Sequence, residues 1–135
     1  MECCGWLIGS SSHNQIVAVR ACVNAKTLGV HTAVPDRGAE TAYEFTAQDT
    51  LDLARSFDTD APAVVIYHSH PNGRAYFSAT DRQVAKGPWG DGPSYPVQQL
   101  VVGIDASRVV EAALFAWSQE DNDFVEIARY KGAAI

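Results

Sequence analysis

Pro62-Ala63-Val64-Val65-Ile66-Tyr67 is a nearly unbroken apolar run of strand length, and it leads straight into His68-Ser69-His70-Pro71. A strand with one wet face alternates apolar and polar residues, whereas one that is apolar at almost every position must be covered on both faces. The chain is therefore predicted to build its sheet around residues 62–67 as a buried central strand, with two histidines carried out at its end. Side chains at i and i+2 of extended backbone share a face, so His68 and His70 can both point at one ion. Pro71 disfavours helical backbone at His70, which helps hold that geometry.

The flanking segments imply a mixed α/β domain. Residues 3–9 and 15–23 are short apolar runs joined by the polar stretch Ser10-Ser11-Ser12-His13-Asn14, the pattern of a hairpin and its turn. Residues 24–41, with Gly29, Pro35 and Gly38, read as a long loop, and loops beyond about 12–15 residues are often functional. Residues 42–45 read as a brief strand. Thr46, with Asp49 three residues on, is placed to open a helix running to about Phe57. Leu51, Leu53, Ala54 and Phe57 form its expected inward stripe, leaving Asp49, Asp52 and Arg55 in water. A second helix is expected from Ser78 to about Lys86, stopped by Gly87-Pro88. Residues 87–96 hold three Gly and three Pro and cannot be regular structure. Residues 97–104, 109–118 and 124–130 then read as a three-strand meander. Trp6, Phe115 and Trp117 are core candidates, His13 and His31 fall in turn and loop, and adjacent Cys3 and Cys4 should point opposite ways.

Composition narrows the function. The chain has 135 residues, 47% hydrophobic and 19% charged, the proportions of one globular domain (1–135) with residues 24–41 and 87–96 as insertion-like loops. Ten Lys+Arg against sixteen Asp+Glu leave a net charge of −6, which repels phosphate, so neither nucleic acid nor an anionic membrane is an expected partner. No apolar run approaches membrane-spanning length, and Met1-Glu2-Cys3-Cys4 lacks the basic start of a signal peptide. Cys3, Cys4 and Cys22 contain no CxxC pair and suit thiols in a reducing compartment, so a cytoplasmic protein is expected. The sequence contains neither a GxSxG elbow nor a GxxxxGK[ST] loop, which removes support for serine-hydrolase and P-loop readings.

The chemistry-bearing stretch is His68-Ser69-His70-Pro71, six residues, Ser78, two residues, Asp81. From the first turn of the second helix Asp81 could fold back as an oxygen ligand. Two imidazoles and a carboxylate suit Zn²⁺, and three protein ligands leave the fourth tetrahedral position for water. On residue pattern alone an alternative stands open. Ser78-Ala79-Thr80-Asp81 is an ordinary helix start, and histidines at a strand end are also plain polar groups at a rim.

The pattern His-[Ser/Thr]-His-Pro-x6-Ser-x2-Asp resembles the JAMM family, also called MPN+ or JAB1/Mov34, at every fixed position. By average amino-acid usage a chance match in 135 residues is roughly one in a million. Glu2-Cys3-Cys4-Gly5-Trp6-Leu7-Ile8-Gly9 is similar to the family's first strand, where an acidic residue opens a glycine-bounded apolar run. The resemblance implies a curved mixed β-sheet flanked by helices, an MPN/JAB1-like (cytidine-deaminase-like) architecture. It also implies one Zn²⁺ held by His68, His70 and Asp81, with Glu2 as general base on the zinc-bound water and Ser78 stabilising the oxyanion. Glu40 and Glu44 are the rival carboxylates to Glu2.

A compact prokaryotic-type member of that family is expected to be a metalloprotease or isopeptidase. Its expected substrate is a ubiquitin-like or sulfur-carrier protein with a Gly-Gly C-terminus, cut at the amide bond after that diglycine. The loops 24–41 and 87–96, with Trp89 and Tyr95, are expected to cradle the tail. Alternatives are a zinc hydrolase of small-molecule amides, an MPN-type docking module without activity, and a DNA-repair-type relative, the last disfavoured by the charge of −6.

Overall fold

The computed structural model describes residues 3–10, 13–25, 43–87, 92–106 and 108–132. The chain divides into two compact units, Met1–His68 and Ser69–Ile135. The first holds strands β1 (Cys4–Ser10) and β2 (His13–Cys22), helix α1 (Ala47–Ser56) and most of β3 (Ala63–His70), which carries the chain into the second. The second holds α2 (Ala79–Ala85), β4 (Gln98–Ile104), β5 (Val109–Ser118) and β6 (Asp123–Lys131). Strands and two helices together make the expected mixed α+β fold.

In the first unit β1 pairs antiparallel with β2 on one side and with β3 on the other. Trp6 stands opposite Arg20 in one ladder and Ile66 in the other, and is itself buried. A Cβ at Gly5 would collide with the Arg20 carbonyl oxygen and the Tyr67 ring, so this strand position must be glycine for its neighbours to close on it. Of the apolar run, Ala63, Val65 and Ile66 are buried and Val64 and Tyr67 half-buried, and the strand continues through both histidines to His70. The hairpin turn is shorter than the polar stretch suggested. Ser10 pairs with His13, because backbone ladder bonds recruit polar residues as readily as apolar ones.

Two expectations in this unit are corrected. Residues 43–46 form no strand, because the Glu44 backbone instead accepts from Ala25 N–H at 2.7 Å and donates to Asn24 Oδ1 at 3.1 Å. The inward face of α1 also differs. Thr46 caps the helix by accepting from Asp49 N–H at 3.1 Å, but of the expected stripe only Leu53 is fully buried, at 0% exposure, while Leu51 is 44% exposed. An ion pair sets the rotation: Arg20 donates to Asp49 Oδ1 at 2.6 Å and Asp52 Oδ2 at 2.8 Å while lying 4.7 Å over the Trp6 ring. Asp49, Asp52, Leu53 and Ser56 therefore share the inner face at i, i+3, i+4, i+7 spacing, and Leu51 is turned outward.

In the second unit β4, β5 and β6 form the predicted antiparallel meander, in that order. Its core joins Ala75, Phe77, Ala85, Val101, Ala113, Phe115 and Phe124, with Trp117 packed against it half-buried. The Phe77 ring lies 5.2 Å from both Phe115 and Phe124. This places the stretch between His70 and Ser78 on the meander. Residues 92–97 are irregular, as their Gly and Pro content dictates, and Ser94 Oγ fastens them to α2 by donating to Lys86 O at 2.7 Å. Among the described residues no helix is long and apolar enough to cross a membrane.

The rotation of α1 gives a direct test by equilibrium urea unfolding. Leu53→Ala is expected to cost roughly 2–5 kcal/mol, as a buried leucine does, and Leu51→Ala to stay within about 0.5 kcal/mol of the parent.

Candidate metal centre

Strand β3 delivers His68 and His70 on one face, two residues apart, and both are buried, at 0% and 6% exposure. Helix α2 delivers Asp81 in its first turn, 8% exposed. The ligand atoms of these three side chains lie within 4.8 Å of one another. Ionisable groups are rarely buried together unless they are paired or hold a metal.

The helix start is a reciprocal capping box. Ser78 Oγ accepts from Asp81 N–H at 3.0 Å, and Asp81 Oδ2 accepts from Ser78 N–H at 3.0 Å. The capping and ligand readings of the motif thus describe the same atoms. A carboxylate offers about four lone-pair sites, so capping does not exhaust Asp81.

His70 carries the most telling geometry. Its Nδ1 lies 3.2 Å from Arg74 O, and since a carbonyl oxygen only accepts, Nδ1 donates. Nε2 is then the lone-pair nitrogen of the neutral ring, yet it faces Asp81 Oδ2 at 3.2 Å. Two acceptors meet this closely only with a cation to satisfy both, whether a proton or a metal ion. The donor set fits zinc: two imidazoles, one carboxylate, and a Nε2–Oδ2 span of 3.2 Å. With bonds of about 2.0–2.1 Å to nitrogen and oxygen, a tetrahedral ion has edges close to that length.

Each imidazole also has an aromatic neighbour that the sequence did not single out. Tyr43 stacks on His68 with centroids 4.6 Å apart and planes 20° apart. Tyr76 lies against His70 at 4.8 Å. Tyr76 stands within the six-residue gap of the motif, where its position was the available signal; Tyr43 had none. Of the other expected residues, Glu2 and Trp89 lie outside the described residues, as do Glu40, His31 and most of the loop 24–41. Tyr95 is half-buried in the segment fastened to α2. Cys4 is buried and Cys3 exposed, as their opposite orientations require. His13 opens β2 and does not lie in a turn.

Comparison with known proteins adds three findings. The family model for prokaryotic homologs of the JAB domain matches residues 1–123. Among curated proteins none matches the chain. Among solved structures, the chain is similar to the solution structure of a protein from Salinibacter ruber, with 23% identity and a TM-score of 0.52 over 95% of this chain and 75% of that one. At that identity the likeness speaks for the fold.

Equilibrium dialysis against Zn²⁺ followed by metal analysis checks the ligand group. The parent chain should retain one zinc, and His68→Ala and Asp81→Asn should each lose it. Ser78→Ala should lower stability by roughly 0.5–2 kcal/mol through loss of the cap, and Ser78→Asp should restore it.

Proposed function

We infer what this chain does from one premise, that it belongs to the family of prokaryotic homologues of the JAB domain. On that premise it is a zinc-dependent metallopeptidase that cuts the amide bond after the Gly-Gly terminus of a ubiquitin-like or sulfur-carrier protein. The observation that carries this reading is the buried group of His68, His70 and Asp81. Three protein ligands are the number that catalytic zinc sites use, and the intact set favours a hydrolase over a docking module.

Bound there, zinc supplies a Lewis acid that polarises a carbonyl and lowers the pKa of water toward 7. The chain's own residues supply the rest. His68, His70 and Asp81 hold the ion. Ser78 keeps capping α2 through an Oγ lone pair while its O–H donates to the oxygen on which charge develops. Glu2 takes a proton from the attacking water and returns it to the departing amine, which cannot leave unprotonated. A diglycine tail has no side chains to exclude, so it can bind extended, and Tyr95 is the described aromatic proposed to contact it.

The test is to incubate the protein with diglycine-ended carrier conjugates, with and without chelator, and weigh the products. Chelator-sensitive release of a carrier ending in Gly-Gly is expected; metal-dependent cleavage of small amides alone would contradict the substrate, and no metal-dependent cleavage at all would contradict the enzyme. Ser78→Ala and Ser78→Asp should both lose about 10²–10³-fold in kcat, although the second restores the cap, while Ser78→Thr keeps most of it. Glu2→Gln should retain zinc and lose turnover. Tyr95→Ala should raise KM with kcat little changed.

A further inference from the structure

One peptide group stands behind the His70 ring. Its Nδ1–H donates to the Arg74 carbonyl oxygen at 3.2 Å. The N–H at the other end of that same peptide belongs to Ala75, and it donates to Glu111 Oε2 at 2.8 Å. A trans peptide is planar and conjugated, with its C=O and N–H pointing opposite ways. A carboxylate at the N–H end therefore shifts electron density toward the carbonyl oxygen, and hydrogen bonds in such a chain strengthen one another.

Glu111, on β5, is itself held. Arg129 on β6 pairs with it through Nη1 at 2.8 Å, donates through Nη2 to Ala75 O at 2.9 Å, and pairs with Glu126 at 2.6 Å. Both backbone polar groups of Ala75 are thus gripped by side chains of the meander. The Ala75 N–H first, and then Arg129, hold the Glu111 carboxyl below the usual carboxylate range, so it is ionised at neutral pH. The turn between is fixed as well. Asn72 Oδ1 accepts from Arg74 N–H at 3.0 Å, Gly73 adopts φ +77°, and a Cβ on Gly103 would come within 2.5 Å of the Gly73 carbonyl carbon. Strand β4 can approach the turn only because position 103 has no side chain.

An anchor for the turn needs no more than Arg129 on Ala75 O. A carboxylate on the one N–H whose peptide partner receives the histidine proton does something further. We propose that Glu111 is a positioning residue for His70, acting through the Arg74–Ala75 peptide and held by Arg129, so that carboxylate, peptide and imidazole form one relay behind the ligand nitrogen. The relay fixes the tautomer that keeps Nε2 as the ligand atom and strengthens that nitrogen as a donor to metal, as partners behind metal-bound histidines do. This rests on the reading of His70 as a metal ligand.

The test measures Zn²⁺ affinity by competition with a chromophoric chelator, together with the ring ¹⁵N resonances of His70 in metal-free protein. Glu111→Ala should weaken zinc binding by about 10–100-fold and move the His70 resonances toward a mixture of tautomers. Glu111→Gln keeps an oxygen acceptor for Ala75 N–H without its charge and should fall between; should Glu111→Ala not fold, this variant decides. Asp52→Asn weakens an ion pair of the first unit and should leave both readouts unchanged. Parent-like affinity and unmoved resonances in both Glu111 variants would overturn the proposal. Failure of the parent chain to bind zinc would instead count against the metal reading, and the ring resonances would still decide the relay.

Discussion

The contact on which the rest of this molecule depends is the one between His70 Nε2 and Asp81 Oδ2, 3.2 Å apart and buried. Both groups are acceptors once Nδ1 donates to Arg74 O. Bringing them together is unfavourable without a cation, and leaving one alone in the interior would be worse. The fold therefore holds an arrangement that a cation, a proton or a metal ion, could complete. Strand β3 fixes one side, and the capping box of α2 fixes the other.

Holding such a group takes both near and distant parts of the chain. The near parts are economical: Ser78 and Asp81 start a helix and cap it, and the same Asp81 carboxylate stands beside the two imidazoles. The distant parts settle rotation and direction. Tyr43 lies flat on His68, Tyr76 leans on His70, and Glu111, itself paired with Arg129, grips the peptide that faces His70. Arg20 does the equivalent for α1, where its pairs with two aspartates set the inner face and leave Leu51 outside.

This division explains what was legible in the sequence. The hairpin, the buried strand, both helix starts and the meander are each written in contiguous residues, and the structure has them close to the expected bounds. The grouping of His68, His70 and Asp81 was legible because the three lie along one strand, one turn and one helix start. The face of α1 was not, because Arg20 reaches Asp49 and Asp52 across 29 and 32 residues and hydrophobic periodicity carries no record of that. The expected strand at 42–45 failed similarly: short strand propensity yields when the backbone finds single partners such as Asn24. Glu111 and Arg129 are ordinary charged strand residues until the fold sets them beside Ala75, 36 and 54 residues away.

X-ray absorption at the zinc edge of the loaded protein tests the central claim most directly. Two imidazole rings, seen by their multiple scattering, with nitrogen and oxygen neighbours at about 2.0–2.1 Å, is the expected result. Sulfur scatterers at about 2.3 Å, drawn from Cys3, Cys4 or Cys22, or fewer than two imidazoles, would contradict it.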